Sequence, residues 1–64
     1  MEKPVVLWQH GAVACVVTQH LDAKSYEIRV LADGRTIERR WFVTGEESAA
    51  FATTYRGRVD HAPS

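Results

Sequence analysis

Ser25-Tyr26-Glu27-Ile28-Arg29-Val30-Leu31-Ala32-Asp33-Gly34-Arg35-Thr36-Ile37-Glu38-Arg39-Arg40-Trp41-Phe42-Val43 holds two alternating runs around Asp33-Gly34. An Asp-Gly pair between such runs favours a two-residue hairpin turn, whose central positions need positive φ. That turn sets Ala32 opposite Arg35, and counting outwards pairs Val30 with Ile37, Ile28 with Arg39 and Tyr26 with Trp41. On the other face the same count opposes Arg29 to Glu38 and Glu27 to Arg40, two cross-strand charge pairs worth about 0.2–1 kcal/mol each. A slip of one residue forfeits both.

Upstream, Val5-Val-Leu-Trp-Gln9 and Ala12-Val-Ala-Cys-Val-Val-Thr-Gln-His20 are rich in β-branched residues and flank His10-Gly11, which predicts a second hairpin. It pairs Trp8 with Val13 and Val6 with Cys15. The loop Leu21-Asp22-Ala23-Lys24 joins the hairpins and sets Val17 against Ile28 and Cys15 against Val30. One sheet face then carries Val6, Trp8, Val13, Cys15, Val17, Tyr26, Ile28, Val30, Ala32, Ile37, Trp41 and Val43, interrupted by Gln19 and Arg39. Trp8 and Trp41 are both expected in the core.

After Val43 the period changes. Thr44-Gly45-Glu46-Glu47 has capping-box spacing, with the Thr44 hydroxyl accepting from the Glu47 amide and the Glu47 carboxylate from the Thr44 amide. Ser48, Phe51, Ala52, Tyr55 and Val59 recur at helical spacing, Gly57 is placed to close the helix in a left-handed conformation, and Arg56 and Arg58 complement its negative end. The predicted fold is α+β: a four-stranded antiparallel meander followed by one C-terminal helix. It forms one domain over residues 1–64, ordered from about 4 to 59, with a frayed tail over 60–64.

A helix of about thirteen residues is some 20 Å long and covers one sheet face, not both. The other is expected to show Val5, Leu7, Ala12, Ala14, Val16, Leu31 and Phe42 near one end and Glu27, Arg29, Glu38 and Arg40 near the other. A soluble monomer rarely exposes that much contiguous apolar area. Size points the same way, because a chain of 64 residues and 7.2 kDa has little net stability without a staple. Cys15 is the lone cysteine, and with His10, His20 and His61 it shows no metal-ligand spacing. Oligomerisation is the remaining route, so a homodimer is expected, with Leu7, Val16, Leu31 and Phe42 as interface candidates.

Eight Lys plus Arg balance eight Asp plus Glu, which excludes a whole-chain field for a polyanionic partner. The five mainly apolar residues after Pro4 are too few for a signal core or a membrane span. With no disulfide framework, a cytoplasmic protein without membrane contact is expected.

A local basic surface does stand out. Arg29, Arg35, Arg39 and Arg40 lie on one hairpin with Tyr26, Trp41 and Phe42 interleaved. Single-strand binders combine guanidinium groups, which neutralise phosphates, with rings on which bases stack. Arg29, Arg35, Arg39, Arg40 and Trp41 are therefore the candidate nucleic-acid-binding residues. Arg39 is singular, since the register sets it among Ile28, Ile37 and Trp41, where an unpaired charge is costly. A bulge that turns it out, a snorkelling stem or a helix carboxylate relieves this; otherwise it contacts an anion.

Cys15 faces the predicted core with no base beside it, and Glu46 and Glu47 are explained by the cap. No GxSxG, phosphate-cradling loop or HExxH is present. No catalytic residue, metal or cofactor is assigned; His20, Arg39 and Tyr55 are the first suspects for an enzyme with an interface site.

Four antiparallel strands followed by a helix, with basic and aromatic residues on the third and fourth strands, resemble the single-stranded-DNA-binding domain of the positive-cofactor transcriptional coactivators. In that family β4-α units dimerise and their sheets form grooves for single strands. The resemblance covers residues 4–59 as an order of elements, matches no family motif and carries over no residue. This chain is neutral and arginine-dominated, whereas the family is lysine-rich. Its texture also resembles short soluble bacterial proteins, which implies no activity. The expected function is a non-enzymatic homodimeric module that contacts single-stranded nucleic acid or another anionic surface through the basic hairpin. The alternative is a subunit that binds a protein partner through its apolar sheet face.

Overall fold

A computed structural model describes residues 3–60. Strands β1 (Val5–His10), β2 (Val13–His20), β3 (Ser25–Ala32) and β4 (Arg35–Phe42) form one antiparallel sheet in the order β1-β2-β3-β4, followed by helix α1 (Gly45–Asp60). The α+β meander with one C-terminal helix is the fold expected from the sequence.

The central pair has the expected register, with Cys15 opposite Val30 and Val17 opposite Ile28. Cys15, Ile28, Val30 and Ala52 form the buried core, and Trp8, Val13, Val17, Phe42, Phe51 and Tyr55 pack against it. The helix therefore covers the face of Cys15 and Ile28. Its start is capped by Thr44, whose Oγ1 accepts from the Glu47 amide at 3.2 Å and donates to Glu47 Oε1 at 3.1 Å. The carboxylate thus meets the hydroxyl rather than the Thr44 amide. Gly57 does not close the helix: it keeps helical geometry, and α1 runs on to Asp60, which lies 3.3 Å from His10 Nδ1 and 3.8 Å from Arg56 Nε. The rest of the expected tail, 61–64, lies outside the described residues.

The two outer strands correct the predicted register. Asp33 and Gly34 make the expected turn, with φ of +52° and +79°, and Ala32 faces Arg35. One step later a bulge intervenes: Leu31 pairs with Thr36 but Val30 with Glu38, leaving Ile37 as the extra residue. From there every β4 side chain changes face. Trp41 leaves the core and is 56% exposed, while Phe42 enters it and meets Phe51 at a ring separation of 5.4 Å. Neither expected charge pair forms across the strands; Arg29 faces Arg39, and Ile28 faces Arg40. The shift relieves what the regular register could not, because it moves Arg39 off the apolar face and brings in an aromatic ring that reaches the helix.

In β1 the turn falls at Gly11-Ala12, with Gly11 at φ +61°, so His10 opposes Val13 and Trp8 opposes Cys15. A second bulge at Leu7 sets Val6 opposite Val16, on the face away from the helix. Trp8 keeps its core place and donates from Nε1 to the Ala52 carbonyl at 3.0 Å, tying the edge strand to the helix.

Candidate functional site

Alternation carries the uncovered sheet face as straight rows across the strands. Val6, Val16, Arg29 and Arg39 make one row; Thr18, Glu27 and Trp41 make the next; Ala14, Leu31 and Thr36 lie on the other side. Val16 is 5% exposed although no element among the described residues covers it. Its cross-strand neighbours Val6 and Arg29 shield it, as long stems do on open sheets.

The charged part of this face is asymmetric. Glu27 accepts from Arg39 Nε at 2.9 Å and lies 2.8 Å from His20 Nε2, and its side chain is only 12% exposed. The His20 ring stacks obliquely on Trp41 at 5.1 Å. Arg29 is left out of this arrangement: its Nε is buried without a hydrogen-bond partner, and the arginine ion pairs of the described residues engage Arg39, Arg40 and Arg56. Two guanidinium stems thus stand directly opposite each other, a placement that disfavours the sheet unless a negative group meets them. Beside them Trp41 presents an exposed ring.

The predicted binding residues therefore divide. Arg29, Arg39 and Trp41 come together on the uncovered face. Arg40 is on the helix side, bonded to Glu38 at 2.7 Å with its guanidinium 5.9 Å from the Phe51 ring centre, and Arg35 shares that side beside the turn, opposite Ala32. The interface candidates divide as well: Val16 and Leu31 are on the uncovered face, but Leu7 and Phe42 are on the helix side. Of the residues expected on the open face, Val5, Glu38 and Arg40 are likewise on the helix side, as the two bulges require. His20 and Arg39 share Glu27, while Tyr55 packs on the other side of the sheet, so no catalytic constellation forms from the three.

Sequence reasoning expected Glu27 on this face, but with Arg40 as its partner rather than Arg39, and it missed His20 and Val6 as members of the surface. Only the bulged register brings Arg39 to Glu27, and its one local sign is an arginine that the regular count sets among apolar residues.

Between the first turn of α1 and the ends of β1 and β2 lies a half-open cavity of about 410 Å³, walled by Val5, Leu7, Val17 and Leu21 with Tyr26 and Ser48. Gln19 Nε2 donates to the Tyr26 hydroxyl at its rim, at 3.5 Å. Elsewhere, burial pushes the Cys15 thiol up from its ordinary pKa of 9.0, which suits a structural thiol rather than a nucleophile. Among the described residues no group of three His, Cys, Asp or Glu gathers to hold a metal ion, and no helix is long and apolar enough to cross a membrane. No family model, curated protein or solved structure matches the chain.

Proposed function

We propose that the chain is a non-enzymatic binding module that contacts single-stranded nucleic acid through the uncovered sheet face at Arg29, Arg39 and Trp41. The observation that carries this reading is the opposed pair of arginines, one of them without an anionic partner, on the face that also exposes Trp41. Phosphate oxygens answer both guanidinium groups, and the indole offers a base a stacking surface without sequence preference. An open sheet face with an exposed ring also suits a single strand better than a duplex, whose bases are already stacked. The resemblance in element order to the positive-cofactor domains lies in the same direction.

The test is fluorescence anisotropy with a labelled mixed-sequence oligonucleotide at a series of salt concentrations. Two phosphate contacts to a single strand give a slope of about −1.4 in log affinity against log salt, so affinity falls roughly sevenfold between 50 and 200 mM. Trp41→Ala is expected to weaken binding by about 1–3 kcal/mol, and Arg40→Ala, on the other side of the sheet, to leave it unchanged. Absence of binding at low salt overturns the proposal.

A further inference from the structure

We propose that two copies of the chain join through the outer edge of β1, antiparallel about a two-fold axis at Val6, into one continuous eight-stranded sheet. This inference is independent of the nucleic-acid reading. The sheet has two edges of opposite character. β4 carries Arg35, Glu38, Arg39 and Arg40, charged side chains of the kind that keep an edge from accepting another strand, and each edge strand has one bulge, at Ile37 in β4 and at Leu7 in β1. β1, Val-Val-Leu-Trp-Gln-His, contains no Asp, Glu, Lys or Arg, and its outer side takes no further strand among the described residues.

The exposed apolar residues of β1 identify the kind of partner. Val5, Val6 and Leu7 are 56%, 59% and 43% exposed. Val5 and Leu7 wall the cavity on the helix side, whereas Val6 is opposite Val16 on the uncovered face. A body resting on either face shields one set and leaves the other in water. A strand laid alongside shields both.

A second β1 is self-complementary in that place. With Val6 on the axis, Val6 meets the partner's Val6 on the uncovered face, while Val5 and Leu7 meet the partner's Leu7 and Val5 on the helix side. Residues that share a face in one copy thus share it in the pair, no two formal charges are opposed, and the cavity mouths gain apolar walls. Backbone pairing along an edge is a common recognition mode, and a two-fold contact needs only one patch. It also provides the staple that a chain of this size lacks. In the resulting sheet the two Arg29 positions share a face, five strand spacings or about 24 Å apart.

The test begins with light scattering after size exclusion of the intact chain, where a mass of about 14 kDa, twice the 7.2 kDa of one chain, is expected. Val6→Lys places like charges opposite each other on the axis and is expected to give the single-chain mass with unchanged far-ultraviolet circular dichroism, while Ile37→Lys on the β4 edge keeps the doubled mass. Should Val6→Lys fail to fold, Val6→Cys decides. Opposed antiparallel residues have Cα atoms about 4.5–5.5 Å apart, within disulfide range, so oxidised glutathione is expected to cross-link the variant and not the native chain, whose Cys15 is buried. A native single-chain mass at 100 µM overturns the proposal. So does a dimer that survives Val6→Lys, or one that Leu31→Arg on the uncovered sheet face dissociates while Val6→Lys does not.

Discussion

Replacing Arg29 by leucine is expected to make the protein more stable and a poorer binder. Arg29 opposes Arg39 across the β3–β4 ladder, and like charges directly opposite cost about 0.2–1 kcal/mol. Its Nε is buried without a partner, and a buried unsatisfied donor costs about 1–3 kcal/mol. Leucine removes both costs and still shades Val16, the cross-strand neighbour that the arginine stem covers. Arg29 as a whole is only half-buried, which discounts the second figure, so a net gain of about 1 kcal/mol is expected. For a domain of this size that raises the melting temperature by about 4–8 °C, read by circular dichroism. The same variant loses one of two phosphate contacts, so the salt slope of oligonucleotide binding drops by about 0.7. A melting temperature several degrees below that of the native chain would show that Arg29 is a structural partner, and an unchanged salt slope would remove it from the binding surface. Arg39→Leu is the internal contrast: it strips Glu27 of its 2.9 Å partner and is expected to destabilise by up to about 1 kcal/mol.

Three further expectations concern the fold. Trp8→Phe removes the bond from the edge strand to the Ala52 carbonyl and should cost about 1 kcal/mol in urea unfolding, with little change in the cooperativity of the transition. Thr44→Ala removes the acceptor for the Glu47 amide and should cost about 1 kcal/mol, whereas Thr44→Ser retains most of it. Burial raises the Cys15 pKa in the folded chain, so its contribution to stability is fully present below its ordinary value of 9.0 and is lost as pH rises through the folded value. The native chain should therefore weaken above pH 9 more steeply than Cys15→Ala, measured by denaturant midpoints.

The parts of the fold legible in the sequence share a physical trait: each is decided by its neighbours along the chain. Asp33-Gly34 dictates a turn through its φ requirements, and Thr44 with Glu47 marks the helix start. The β2–β3 register follows because the apolar positions of both strands, Cys15 and Val17 against Val30 and Ile28, agree with a four-residue loop. What escaped is decided by distant contacts. Two cross-strand charge pairs argued for the regular β3–β4 register, but together they amount to no more than about 2 kcal/mol. Setting Phe42 against Phe51 and freeing Arg39 from the apolar face outweighs them, and the helix that rewards the shift begins only after the strand ends. The unpaired Arg39 was the one local sign that the regular count had failed. Gly57 misled likewise, since α1 runs past it to Asp60, which meets the distant His10 at 3.3 Å. Half of the site was therefore visible as composition, arginines beside aromatic rings, and half depended on which of them share a face.

The extra residue at Ile37 also governs how the hairpin tolerates changes in length. A chain without Ile37 would keep every β4 partner from Glu38 to Phe42, because the ladder on either side of the bulge already pairs as though that residue were missing. Losing a residue between Glu38 and Trp41 would instead invert whatever follows, turning Phe42 to the uncovered face and setting the smaller Val43 where Phe42 now packs. Length variation among chains of this design should accordingly gather at one position, and related hairpins could differ in their count from Asp-Gly to the tryptophan while presenting the same chemistry to the solvent.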